Sequence, residues 1–127
     1  MLRLLRIENF ALIERLEILF QPGLNVLTGE TGAGKSIILD ALDAALGGTA
    51  RTLRSGSERG LVEAVFLLNE ELQAWLNQEG IDPLEEGLVC SRELLLREGD
   101  GKLTSRSRVN GVLVNKTQML SLRSKLV

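Results

Sequence analysis

The segment TGETGAGKSIILDALDAALGG, residues 28–48, constrains this chain more than any other part of its sequence. Residues 29–36 read G-x-x-x-x-G-K-S, a spacing typical of loops that hold the phosphates of a nucleotide. Such a loop follows a buried strand and opens a helix, and both neighbours are predicted here. Residues 24–28 are apolar, and residues 36–46 place a stripe of apolar side chains at helical spacing. The sequence therefore predicts an α/β fold built around a phosphate-binding loop.

The residue types of the loop suit this chemistry. Glycine at positions 29, 32 and 34 leaves no Cβ where the backbone bends around a phosphate. The amides of about residues 32–36 then point at the phosphates, and the helix starting near Lys35 adds the positive end of its dipole. We interpret Lys35 as a contact of the β- and γ-phosphates and Ser36 as a ligand of Mg²⁺. A chance match on a glycine turn is the alternative, which the predicted flanking strand and helix disfavour.

The remaining pattern combines strands with two further helices. Residues 70–80 predict a short helix whose Trp75 belongs to the core, and Gly47-Gly48 predicts the end of the helix after the loop. Thr117 is predicted to cap a last helix, which carries no stop signal before the end of the sequence. The predicted strands cover residues 2–10, 14–20 and 61–68 and an antiparallel region at about 58–115, with turns at Gly99-Asp100-Gly101 and Asn110-Gly111.

Composition excludes several classes of protein. The 127 residues suffice for one domain, and no apolar run reaches the roughly 18 residues that a membrane span needs. The start of the chain lacks the features of a signal peptide, and the single cysteine, Cys90, fits a buried strand thiol in a reducing cytoplasm. Histidine is absent, which removes histidine bases and ligands, and the 3% aromatic content disfavours a platform for base stacking.

Charge is distributed unevenly along the chain. Residues 61–90 hold seven acidic and no basic side chains, whereas residues 91–127 hold eight basic and three acidic ones. The basic segment indicates either a patch that lies near nucleic acid or a solvated face of a hairpin and helix. The sequence leaves both interpretations open.

The class of nucleotide enzyme is partly restricted. A GTPase needs a base-reading Asn-Lys-x-Asp, but NKTQ at residues 115–118 has Gln118 in place of the aspartate. No arginine-rich lid or acceptor site points to a small-molecule kinase, although that class remains possible.

The flanks of the loop carry a family resemblance. LRIENFALIERLEILFQPGLNVLTGETGAGKSIILDAL, residues 5–42, resembles the N-terminal head segment of SMC-like DNA repair ATPases. Shared features are the opening I-x-N-F, the G-L-N-x-[LI]-x-G run and the K-S-x-[IL]-x-D-A-[IL] helix start. The SRSRVNGVLVNKTQMLSL segment, residues 105–122, resembles the hairpin and helix of a bacterial branch of this group. Glu30-Thr31 also favours that branch, since Pro-Asn is usual at these two positions elsewhere.

The resemblance implies the N-terminal lobe of an ABC-type P-loop NTPase head, with a mixed β-sheet and an antiparallel β subregion. The resemblance implies an incomplete head, because this sequence lacks the apolar strand ending in Asp-Glu, the signature segment and the switch histidine, and the glutamine loop would be expected just after residue 127. The implied cofactors are ATP and Mg²⁺. The implied partners are the C-terminal lobe of the same head, a second head in an ATP-sandwiched dimer, and DNA, but no membrane. The ATP-binding residues would be Gly29, Glu30, Thr31, Gly32, Ala33, Gly34, Lys35 and Ser36, with Ser36 on the metal.

A second catalytic candidate besides Lys35 is Arg54. ARTLRSGSERG, residues 50–60, resembles a loop that in SMC-like heads places an arginine near the nucleotide and DNA. The alternative is a solvated loop arginine.

We therefore expect an ATPase of the cytoplasm, associated with the nucleoid, that acts in double-strand break repair and recombination. ATP would join two heads, and their engagement would gate the DNA held by coiled coils. The chain alone is predicted to be inactive. A transporter-type ATPase subunit and an interaction module that binds nucleotide without catalysis are the alternatives.

Overall fold

A computed structural model describes residues 1–20, 32–48 and 53–126, and the side chains of residues 32–36 lie outside that description. The strand predicted at residues 24–28 also lies outside the described residues. The strands are β1 (Leu2–Phe10), β2 (Ile13–Leu19), β3 (Arg59–Phe66), β4 (Leu88–Leu96), β5 (Leu103–Val109) and β6 (Val112–Val114). The helices are α1 (Gly32–Ala45), α2 (Glu70–Glu79) and α3 (Lys116–Leu126).

The described strands form one sheet in the order β2-β1-β3-β4-β5-β6, and neighbouring strands in this sheet are antiparallel. Hairpins join β1 to β2, β4 to β5 and β5 to β6. Strand β3 follows α1 and enters the sheet between β1 and β4, and α2 connects β3 to β4. Asn110 and Gly111 join β5 to β6 with φ of 50° and 83°. These two positive values confirm the predicted Asn-Gly hairpin turn.

One face of the sheet and the three helices enclose the core. Alternate residues of the central strands point inward, among them Leu5, Ile7, Val62, Ala64, Cys90 and Leu94, all with no exposed surface. Trp75 of α2 is also buried, and its Nε1 donates to Ser121 Oγ of α3 at 3.3 Å. The predicted burial of Trp75 and Cys90 is confirmed. Burial raises the pKa of the Cys90 thiol to about 12.

The start of α3 corrects one prediction. Asn115 Oδ1 accepts from Gln118 N at 2.8 Å, and Gln118 Oε1 accepts from Asn115 N at the same distance. This reciprocal pair is a capping box, in which a residue three positions into the helix returns the bond of the cap. Asn115 therefore caps α3, and the prediction of Thr117 as the cap is wrong. Thr117 instead lies inside the first turn of α3. Asn115 and Gln118 have the three-residue spacing that a capping box needs.

Candidate nucleotide site

The predicted phosphate loop leads into α1. Gly29, Glu30 and Thr31 lie outside the described residues, so their geometry stays a prediction. Residues 32–36 form the start of α1, three residues earlier than the predicted start near Lys35. The first backbone N–H groups of a helix have no partner within it. The backbone amides of residues 32–36, which we assigned to phosphate binding, thus include the N–H groups at the start of α1 that have no partner within the helix.

The charges at the beginning of α1 favour an anionic ligand. The first turn of α1 contains no acidic residue, whereas the first turn of α2 contains Glu70 and Glu71. Carboxylates at such a position stabilise a helix by balancing the positive end of its dipole. Without them, the beginning of α1 keeps a positive potential that a phosphate group can balance. These features fit ATP at this end of the helix.

A metal ligand at this site remains a prediction. The candidate is Ser36, whose side chain lies outside the description. Across residues 1–20, 32–48 and 53–126, no cluster of three or more acidic or cysteine side chains forms a metal site.

Small residues hold α1 against the sheet. Ala41, Ala44 and Ala45 have no exposed surface, and Leu46 is 4% exposed. Their short side chains let the helix backbone approach β1, β3 and β4 closely, so the helix is fixed by packing. The predicted apolar stripe is confirmed, and Ala44 is an additional buried position. Packing along this stripe fixes the direction in which α1 presents its beginning.

The predicted glycine stop at the end of α1 is also confirmed. Gly47 has φ of 91°, and its N–H donates to Ala44 O at 3.1 Å, while Gly48 N–H donates to Asp43 O at 2.8 Å. This pattern is a Schellman motif. A Cβ at position 48 would lie 2.0 Å from Asp43 Oδ2, so only glycine fits there without movement of that carboxylate.

Two arginines from other elements support this end of α1. The last turn of α1 has no basic residue, but Arg123 of α3 pairs with Asp43, and Arg92 Nη1 of β4 donates to Ala44 O at 3.4 Å. Cations at this position balance the negative end of the helix dipole. Burial lowers the pKa of Arg92, and nearby Asp43 opposes that change. Sequence reasoning missed Arg92, although its place between the inward-facing Cys90 and Leu94 was a usable signal.

Arg54 lies beside the end of β1. Its N–H donates to Asn9 O at 2.9 Å, and the preceding Leu53 forms an isolated bridge with Phe10. The side chain is 40% exposed, with Nη2 at 3.9 Å from Oε2 of the still more exposed Glu14. An exposed pair at this distance holds the guanidinium weakly. Arg54 is thus accessible to an anion. Residues 29–31 of the phosphate loop lie outside the described residues, so the approach of Arg54 to the nucleotide stays a prediction.

The comparisons with known proteins match nearly the whole chain. A family model described as an AAA domain matches residues 4–125. The chain is 55% identical to the DNA repair protein RecN of Synechocystis sp. over 130 aligned positions, covering 100% of the chain and 22% of that relative. Against the DNA repair protein RecN of Bacillus subtilis it is 43% identical over 118 positions, covering 90% of the chain and 20% of the relative. The chain thus spans about a fifth of the length of these relatives.

Solved structures show the same fold. The structure of the recombination mediator protein RecF-ATPrS matches with a TM-score of 0.64 at 16% identity, over 94% of this chain and 29% of that one. The predicted P-loop NTPase fold is confirmed by this likeness. None of the helices in the described ranges is long and apolar enough to cross a membrane.

Proposed function

Since this chain belongs to the family of AAA domains, we propose that it is the ATP-binding N-terminal lobe of a RecN-like DNA repair ATPase. One observation carries the proposal: α1 begins inside the G-x-x-x-x-G-K-S motif and has no acidic residue in its first turn. The similarity of the whole chain to the N-terminal part of RecN proteins supports DNA repair as the setting.

The proposed site assigns a role to each residue type. The glycine-rich loop bends around the phosphates, and the backbone amides of about residues 32–36 point at them. Lys35 contacts the β- and γ-phosphates, and Ser36 is a ligand of Mg²⁺. When bound there, Mg²⁺ would supply charge neutralisation for the phosphates. The positive end of α1 stabilises the same charge. Arg54, accessible beside β1, approaches the nucleotide or DNA when the complete head engages its partners.

The proposed cycle needs parts beyond this chain. The C-terminal lobe of the same head supplies the carboxylates that activate water, and a second head supplies a signature segment across the bound ATP. Binding joins the heads and hydrolysis releases them, which gates DNA held by the coiled coils. We place this activity in the cytoplasm, at the nucleoid, in double-strand break repair and recombination.

Replacement of Lys35 tests the nucleotide site. A charge-assisted contact with phosphate contributes about 1.5–3 kcal/mol. Lys35→Ala should therefore weaken Mg-ATP binding by about ten- to a hundredfold in isothermal titration calorimetry. Lys102→Ala is the matched control, since Lys102 is an exposed residue of the β4–β5 turn. Equal affinity of the Lys35 variant and the unaltered protein would refute the assignment of the loop.

A further inference from the structure

Strand β2 forms one edge of the sheet. Among the described strands it pairs with β1 alone, whereas β1 lies between β2 and β3. Several of its side chains are open to solvent, since Arg15 is 84% exposed, Glu17 57% and Leu19 69%. An edge strand presents a row of backbone N–H and C=O groups that can pair with another strand. Strand β2 is therefore a surface on which a further strand can add to the sheet.

The register of β1 and β2 shows which backbone groups face this edge. The N–H of Phe20 donates to Arg3 O at 2.8 Å, which continues the register at the end of β2. Bonded and non-bonded residues alternate along an antiparallel pair, so the even-numbered residues of β2 bond to β1. The odd-numbered residues direct their N–H and C=O groups away from β1, and these are Ile13, Arg15, Glu17 and Leu19.

The sequence of β2 is complementary to itself in the antiparallel direction. A twofold axis at Leu16 places Arg15 of one copy opposite Glu17 of a second copy, and the reverse pair follows by symmetry. Both residues have odd numbers, so each such pair is also a hydrogen-bonded pair of the new ladder. Guanidinium and carboxylate groups directly opposite each other stabilise paired strands. The edge therefore carries its own charge complement.

The same charges exclude the neighbouring registers. Hydrogen bonding between the two edges requires odd-numbered residues to face odd-numbered ones, so the register can slip only by two residues. One such slip places Arg15 opposite Arg15 of the second copy, and the other places Glu17 opposite Glu17. Like charges directly opposite each other destabilise a strand pair. The charge pattern thus selects the register that is centred on Leu16.

Apolar side chains agree with this register. Leu16 faces Leu16 of the second copy, in a non-hydrogen-bonded pair that brings the two side chains close together. The exposed Leu19 faces Ile13 of the second copy, and both residues are apolar. Glu14 with Ile18 is the one unlike pair. Pairing would therefore cover apolar surface that the edge of a single copy leaves in water.

We propose that β2 pairs with β2 of a second copy of this chain, so that the two sheets become one continuous sheet across a twofold axis. The proposal requires no nucleotide and is independent of the proposed function. An interface made of one strand from each copy is smaller than the standard of about 1,600 Å². We therefore expect a weak dimer, with a dissociation constant of about 10–100 μM.

Charge reversal tests the pairing. Arg15→Glu gives an edge whose two central charges are both negative, and Glu17→Arg gives one whose charges are both positive. Each variant alone should dimerise about tenfold more weakly than the unaltered protein. A one-to-one mixture should dimerise as the unaltered protein does, because each negative edge then faces a positive edge. Sedimentation equilibrium of the nucleotide-free 127-residue protein, between about 1 and 500 μM, measures all three samples.

Lys102→Glu is the matched control for Arg15→Glu. It makes the same change in net charge on the exposed β4–β5 turn, away from the β2 edge, and should leave dimerisation unchanged. Both reversals disrupt only exposed ion pairs, with Glu8 and with Arg6, so the melting temperatures should change little. A monomeric unaltered protein at the highest concentration would overturn the proposal. A mixture that dimerises no better than its two components would overturn it equally.

Cysteine substitution tests the register directly. Two copies of Leu16→Cys would have their Cα atoms about 4.5 Å apart across the twofold axis, which permits a disulfide. In Ile18→Cys, on the same face of β2, the Cα atoms would be about 14 Å apart. Mild oxidation should therefore cross-link the first variant and leave the second monomeric, while the native Cys90 is buried. Equal cross-linking of the two variants, or none in Leu16→Cys, would refute the pairing centred on Leu16.

Discussion

Asn110 connects three parts of the fold, and its replacement by alanine should destabilise the protein markedly. Its Oδ1 accepts from Val89 N of β4 at 2.9 Å, and its Nδ2 donates to Asp82 O, after α2, also at 2.9 Å. The residue has φ of 50°, in the left-handed region. Asn110 thus closes the β5–β6 turn and ties it to the beginning of β4.

The expected cost follows from these contacts. Each lost hydrogen bond contributes about 1 kcal/mol, and alanine in the left-handed conformation costs about 1 kcal/mol more. The free energy of unfolding should therefore fall by about 3 kcal/mol in Asn110→Ala. For a domain of this size the melting temperature should fall by about 10 °C.

Two further variants separate the contributions. Asn110→Gly also loses both hydrogen bonds, but glycine adopts the left-handed conformation without strain. The free energy of unfolding should therefore fall by about 2 kcal/mol in this variant. Asn110→Asp keeps the acceptor for Val89 N and should cost about 1 kcal/mol. Urea unfolding followed by circular dichroism measures the series. Equal stability of the alanine and glycine variants would refute the contribution of backbone strain. An alanine variant as stable as the unaltered protein would refute both contributions, of strain and of the hydrogen bonds.

Three further predictions concern activity and reactivity. The 127-residue chain should release no phosphate from ATP beyond a Lys35→Ala control, because in the proposed cycle the positioning of water and the charge stabilisation need the C-terminal lobe and a second head. Robust Lys35-dependent turnover would contradict the split head. Arg54→Ala should leave the melting temperature nearly unchanged but reduce DNA-stimulated ATPase activity of the full-length protein, and an unchanged rate would make Arg54 a solvated loop residue. The buried Cys90 thiol has its pKa raised from 9.0 to about 12, so its contribution to stability is complete below pH 9 and decreases as pH rises towards 12. Thiol labelling of the native protein at pH 8 should accordingly be slow until urea unfolds it, and rapid labelling without urea would show that Cys90 is accessible.

Local patterns in the sequence predicted most elements of the fold. Alternation located β1, β2 and β3, helical spacing located α1 and α2, and positive-φ residues located the stop at Gly47 and the turn at Asn110. These signals act between residues close in the chain, so they are legible without knowledge of the fold. The cap of α3 was missed because Thr117 and Asn115 are both good caps, and the Gln118 side chain selects between them.

Motif spacing, together with the predicted strand before it and helix after it, indicated the phosphate loop at residues 29–36, and its role in binding stays a prediction. The residues that support its helix were not indicated, because Arg92 and Arg123 are distant in sequence from the Asp43–Ala44 end of α1 that they contact. Charge composition indicated a basic segment but could not separate paired from unpaired cations. That separation depends on which carboxylates the strand register and helix packing bring within reach. The tertiary structure therefore decided that Arg108 pairs with Glu93 and Lys125 with Glu71, since ion pairing follows distance in space and not along the chain.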